Sequence, residues 1–148
     1  MSVRNKSLFL SVCLLLFLDC QVSAQAMTIL PDHQWKNRLI LLFVPQANHV
    51  LRERQAALLR ADQKGLDERD LLVFEIFPTY IKETPSAGAE EATELRRRYQ
   101  IGEEDFVVLL IGKDGSEKLR SDTLVTRSEL YTLIDAMPMR QEEMRKEN

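Results

Sequence analysis

The stretch LILLFVPQANHVLRERQAALL, residues 39–59, decides how the chain is read. Residues 39–44 are apolar without interruption, so they lack the alternation of a strand that faces water on one side. Such a run suits a strand buried on both faces of a sheet. Pro45 interrupts the ladder, Gln46 and Asn48 follow, and the spacing then turns helical. A helix is expected over residues 48–63, with Val50, Leu51, Ala57, Leu58 and Ala61 toward one side and Gly65 available to end it.

Two further apolar runs, residues 71–77 and 106–111, are bounded by charge, Pro or Gly and read as strands of the same buried kind. Between them a second helix is expected from about Thr84, with Pro85 in the first helical position and Ala92, Leu95 and Tyr99 as its buried stripe. Its acidic residues Glu90, Glu91 and Glu94 precede Arg96, Arg97 and Arg98, which reads as an exposed face with modest i,i+4 pairs. The third run leads into IGKDGSEKLR, where Asp114 and Gly115 form the structural turn, taking up positive φ in a tight hairpin. A short antiparallel strand over residues 117–120 should follow. Thr126 and Glu129 then have capping-box spacing ahead of Leu130, Leu133, Ile134 and Met137, and Pro138 ends or kinks that last helix.

The order β-α-β-α-β-β-α places the chain in the α/β class, with a mixed four-stranded sheet flanked by helices on both faces. One domain is expected over residues 36–140. Residues 141–148 form a charged tail, either an exposed helical turn or a frayed end. No internal repeat or low-complexity linker interrupts it.

The beginning of the chain has a different character. Arg4 and Lys6 precede apolar residues 8–18, and the small residues Val22, Ser23, Ala24 and Ala26 follow, the pattern of a secretory signal peptide over residues 1–24 with a cut after Ala24 or Ala26. The run falls short of the roughly 20 apolar residues that span a bilayer. A retained anchor is one alternative, and lipidation at Cys20 is another, against which Asp19 stands in place of a small residue. Cleavage removes Cys13 and Cys20, leaving no thiol and no stable membrane span, in a periplasmic or secreted protein. It also removes Arg4, Lys6 and Asp19, which takes the formal charge from −3 to −4. That mild acidity excludes nonspecific nucleic-acid binding.

The element order is that of thioredoxin, and four stretches extend the likeness: WKNRLILLFVP, LDERDLLVFEIF, FVVLLIGKDGSEKLR and IDAMPMRQEEM. Together they resemble the DUDES domain, a thioredoxin-like domain of sushi-repeat-containing proteins, of coiled-coil-domain-containing matrix proteins and of short stand-alone bacterial proteins with a signal peptide. The stand-alone bacterial form is the nearest. The resemblance implies a fold distantly similar to peroxiredoxins and, in animals, roles in matrix, adhesion and receptor binding. It implies no established reaction.

Thioredoxin-like oxidoreductases carry a reactive cysteine at the strand-to-helix junction, where free amides and the helix dipole stabilise a thiolate. Here that junction holds Gln46, Ala47, Asn48 and His49, and no proline stands at Asp105, Phe106 or Val107 ahead of the third strand. Thiol chemistry therefore has no nucleophile once the leader is gone, and no cofactor is expected. Gln46, Asn48 and His49 remain as candidate donors beside the first-turn amides, a site for an anion or a partner. The plainer reading makes Asn48 the N-cap and leaves His49 solvated.

Lys113, Lys118 and Arg120 form a candidate basic patch, which Arg140 joins if the chain folds back after Pro138. Met137 and Met139 would add apolar contacts there. The plain alternative is turn chemistry and surface charge. Arg38, Arg69 and Asp70 border the first two strands, where ion pairing between strand ends is expected. His33 and His49 are the only histidines, and without cysteine or close-set acids they make no metal site. Phosphate loop, serine elbow and HExxH patterns are absent. Two readings follow: a noncatalytic binding module for an envelope or extracellular protein or a small anion, and a peroxiredoxin-related oxidoreductase acting without a thiol.

Overall fold

The computed structural model describes residues 29–82 and 88–147. The leader, both cysteines and the helix start expected at Thr84 and Pro85 lie outside the described residues. The elements are α1 (Ile29–His33), β1 (Arg38–Phe43), α2 (Val50–Arg60), α3 (Gln63–Asp67), β2 (Leu71–Ile76), β3 (Ile81–Lys82), α4 (Ala89–Tyr99), β4 (Val107–Ile111), β5 (Glu117–Ser121), α5 (Arg127–Asp135) and α6 (Pro138–Glu147).

The sheet order is β3-β2-β1-β4-β5. β1 runs parallel to β2, with Phe43 opposite Ile76, and antiparallel to β4, with Phe43 opposite Val107. All of β1 and β4 is buried, as central strands covered on both faces must be. The alternation that is invisible in the run LILLFV appears in three dimensions. Leu39, Leu41 and Phe43 pack with Ile29 of α1 and Ala92 and Leu95 of α4. Ile40, Leu42 and Val44 pack on the other face with Leu59, Leu66, Leu130 and Ile134.

The sheet has five strands where four were expected. Pro78 and Thr79 turn the chain so that Phe77 N donates to Tyr80 O at 2.9 Å, and Ile81 and Lys82 return antiparallel to Ile76 and Glu75. A two-residue strand carries no period, so nothing in the sequence marks it.

The first expected helix breaks in two and turns a different face inward. α2 ends at Arg60, and Asp62 caps α3 by accepting from Gly65 N at 3.0 Å. Gly65 thus lies inside α3 rather than ending a helix, at a point where a Cβ would collide with the Asp62 carboxylate and the Tyr131 hydroxyl. The inward face of α2 is Gln55, Ala56 and Leu59, while Val50, Ala57 and Ala61 are exposed. Gln55 is fully buried because both ends of its amide are met: Nε2 donates to Val125 O at 3.0 Å, and Val125 N donates to Oε1 at 2.8 Å.

In the hairpin Gly115 has φ 81°, but Asp114 does not share a positive φ. Gly115 N donates to Gly112 O at 2.9 Å, and Ser116 N to Asp114 Oδ1 at 3.1 Å. This is a three-residue connection with glycine in the left-handed position, not a two-residue turn with both centres positive. Replacing Gly115 with Val is expected to cost about 1–2 kcal/mol, because a β-branched residue is strained at that φ. A urea melt checks it, and an unchanged midpoint counts against the turn.

Thr126 and Glu129 form the capping box. Pro138 does more than end a helix, since it is the first residue of α6, where its fixed φ and missing N–H cost nothing. The helix continues through Glu147, across the boundary expected after Arg140.

Candidate functional site

Because β1 and β2 are parallel, both deliver their last residues to one edge of the sheet, and the junction leaves from there. Gln46, Ala47 and Asn48 are exposed. Asn48 is not the N-cap of α2: His49 takes that place with φ −68° and ψ 127°, and no side chain caps the helix. Nor is His49 simply solvated. Its ring stacks on Phe106 at 5.8 Å and 21°, and its Nδ1 is buried without a hydrogen-bond partner. Phe106 reaches it because antiparallel β4 begins where β1 ends.

Arg52, one turn into α2, folds back over the same edge. Its Nη1 donates to Ala47 O at 2.7 Å, its Nε to Glu75 Oε2 at 2.5 Å, and its guanidinium lies 5.7 Å from the Phe77 ring. Glu75, buried on β2, also accepts from Lys82 at 3.0 Å and Arg60 at 3.3 Å. Burial alone would raise its pKa, but the hydrogen bonds and charges of Arg52 and Lys82 outweigh burial and hold it below the usual carboxylate range. The edge therefore combines first-turn amides, exposed amide side chains at Gln46 and Asn48, and a fixed arginine. It offers hydrogen-bond donors and no nucleophile.

Beneath this edge lies Arg96, which sequence reasoning placed on an exposed face. It is 4% exposed. Nη2 donates to Val44 O at 2.8 Å and Ile76 O at 3.1 Å, and Nη1 donates to Gly102 O. One guanidinium thus ties the ends of β1 and β2 to the loop before β4. Burial lowers its pKa, more than the fields of Glu103 and Asp105 raise it. The signal was present in the spacing: Ala92, Leu95 and Tyr99 leave the i+4 place of the buried stripe to Arg96. Arg97 behaves as expected of the exposed face and pairs with Glu94 at 2.7 Å.

Away from the junction the four candidate cations divide. Lys113 is buried and its Nζ lies 2.7 Å from both Asp70 and Glu143. Arg140, also buried, lies 3.6 Å from Glu143 and from Asp135. Lys118 and Arg120 stay on the hairpin, paired with Asp114 at 2.9 Å and Glu117 at 2.8 Å. Glu143, from the segment read as a tail, is the residue that joins the first two, and it also accepts from both Nη atoms of Arg38 at 3.1 and 3.2 Å. Arg38 meets Arg69 only through that residue's carbonyl, Arg69 pairs with Asp135 at 2.6 Å, and Asp70 serves Lys113. The strand-end charges therefore pair with α5, α6 and the hairpin, not among themselves. A groove of about 210 Å³, floored by Arg38 and Lys113, is edged by Met137, Pro138 and Met139.

Among the described residues no three His, Cys, Asp or Glu side chains converge as a metal site requires. Among the same residues no helix is long and apolar enough to cross a membrane.

The family described as a domain of unknown function (DUF4174) matches residues 29–143. The rat sushi repeat-containing protein SRPX is 36% identical over 127 residues, which cover 80% of this chain and 27% of that protein. The human protein of that name is 35% identical over the same shares. Zebrafish coiled-coil domain-containing protein 80 is 29% identical over 129 residues, 75% of this chain and 15% of its own. The chain thus spans about a quarter or less of these relatives. Among solved structures, Plasmodium yoelii thioredoxin peroxidase I superposes with a TM-score of 0.58 at 18% identity, covering 76% of this chain and 79% of that one. Plasmodium vivax 2-Cys peroxiredoxin gives 0.56 at 12% identity, covering 76% and 71%. At such low identity these superpositions show a thioredoxin-like fold alone.

Proposed function

The chain belongs to the DUF4174 family, and we propose that it is an exported, noncatalytic binding module that engages a small anion or an envelope or extracellular protein through Gln46, Asn48 and His49. One observation carries this reading. A thioredoxin-like scaffold keeps its strand-to-helix junction open, with Gln46 and Asn48 exposed, while no residue after Cys20 is a cysteine. The free amides of the first turn of α2 supply donors for an anion, and an anion there is favoured by the helix dipole. Lys118 and Arg120, on the hairpin strand β5, are a second partner-facing element. Export rests on the charged start, apolar run and small residues of the leader.

The test is a titration of the mature protein with phosphate and with acetate, followed by amide shifts in NMR spectra. Shifts confined to residues 46–50, lost in the N48A H49A double variant, are the expected result. Asn48→Ala alone should leave stability within about 0.5 kcal/mol, since the side chain caps nothing. Unmoved amides at residues 46–50 reject the site. Peroxidase or disulfide-reductase activity in the thiol-free protein would instead favour an oxidoreductase acting without a thiol.

A further inference from the structure

The groove of about 210 Å³ beside the start of α6 takes its charged lining from Arg38, Lys113 and Lys118, against the one carboxylate of Asp114. Ion pairs balance much of this charge, but they leave donors over. Arg38 directs Nη1 to Arg69 O and to Glu143, and Nη2 to Glu143, while its Nε is buried with no hydrogen-bond partner. Lys113 has three N–H bonds to give and meets two carboxylates, Asp70 and Glu143. Among the described residues Lys118 meets only Asp114, at 2.9 Å. Asp114 in turn already accepts from the backbone N–H and the hydroxyl of Ser116.

The backbone adds to the surplus. The first backbone hydrogen bond of α6 runs from Gln141 N to Met137 O at 3.0 Å, so the Met139 N–H has no carbonyl in its own helix. Negative charge is favoured at such an end. The other boundary of the groove is apolar, formed by Met137, Pro138 and Met139, the last of them 40% exposed. An excess of donors beside a short apolar wall matches a carboxylate on a short aliphatic body. A bare phosphate would leave the wall uncovered, and a neutral amide would bring further donors to a site that lacks acceptors.

We propose that this groove binds a small aliphatic carboxylate, its oxygens accepting from Lys113, Lys118 and the Met139 N–H and its hydrocarbon packing on Met137 and Met139. Arg38 floors the site and adds its charge. The site shares Lys118 with the partner-facing hairpin proposed above and is otherwise independent of the junction at Gln46, Asn48 and His49. Two sources offer this chemistry, a free acid and the C-terminal residue of a peptide.

Amide spectra of the protein during titration with isovalerate, N-acetyl-leucine and isovaleramide test the site. Isovalerate is expected to move amides within residues 112–118 and 137–141 saturably, and equally in the N48A H49A variant, which separates this site from the junction. Acetate, three carbons shorter, should bind here about tenfold more weakly, because less hydrocarbon leaves water. Lys118→Gln leaves Arg38 and Lys113 on Glu143 and so keeps the fold. It should weaken isovalerate about fivefold, the loss of one charge-assisted bond at a partly exposed site. Binding of N-acetyl-leucine as tight as that of isovalerate assigns the carboxylate to a peptide end, binding of isovalerate alone assigns it to a free acid, and either supports the site. Unmoved amides at residues 112–118 and 137–141 overturn the proposal, as does equal binding of isovaleramide or an unchanged affinity in Lys118→Gln.

Discussion

Glu143→Ala will destabilise the domain by about 3–5 kcal/mol, the usual cost of removing one partner from a buried ion pair. Arg38 is 1% exposed, and Lys113 and Arg140 are also buried, so none of these three cations can turn to water when the carboxylate is lost. The loss falls on α6 first. Among the described side chains of this helix Arg140 alone is buried outright, Glu143 and Met144 are partly buried, and the rest are exposed. Charge pairing rather than an apolar face holds it. Urea denaturation measures the global change, and hydrogen exchange at the α6 amides should rise in the variant before exchange in β1 does.

The sign of the pH dependence follows from the depressed pKa of Glu143. Burial would raise that carboxyl, but hydrogen bonds from Arg38 and Lys113 and their charges outweigh it, leaving the folded value below the ordinary 4.5. The stabilisation is therefore complete above the unfolded value and is lost as pH falls through the folded one. The gap between wild type and Glu143→Ala should narrow only below about pH 4.5. A gap that is constant with pH would show that the carboxylate charge does not hold the helix.

Arg96→Ala is expected to cost about 3–4 kcal/mol, since it strips donors from the carbonyls of Val44, Ile76 and Gly102 and leaves a void beside Phe43. Arg96→Met separates the contributions: it restores volume and removes a desolvated charge, but it still leaves the carbonyls unmet. It should fall between wild type and Ala in a urea melt. Wild-type stability in the Met variant would mean that packing, not the three hydrogen bonds, is what Arg96 provides. Either variant should also loosen the junction edge, so the phosphate titration repeated on Arg96→Met tests whether that edge needs a rigid floor.

The candidate site was legible unevenly. The junction was found from the change of period after Pro45, and Gln46 and Asn48 are exposed there. Its cap was misassigned because Asn is the stronger capping residue by composition, while the observed helix starts one residue later, where stacking of His49 on Phe106 fixes the entry. The basic patch grouped four residues by sign, and the fold sorted them by which acids they meet.

By itself the sequence determined the class and the central strands, since LILLFV and FVVLLI can be satisfied only between two covered faces; the fifth strand and the sheet order β3-β2-β1-β4-β5 came only with the structure. The sequence determined the capping box at Thr126 as well, because both partners sit within one turn. Only the tertiary structure decided that Gln55, Arg96 and Glu143 are structural keystones. Their partners lie far along the chain: 70 residues away for Gln55 and Val125, 52 for Arg96 and Val44, and 105 for Arg38 and Glu143. Apolar burial adds up residue by residue and so prints its period on the local sequence. A buried polar group is tolerated only where specific partners meet it, and those partners are brought together by the completed fold.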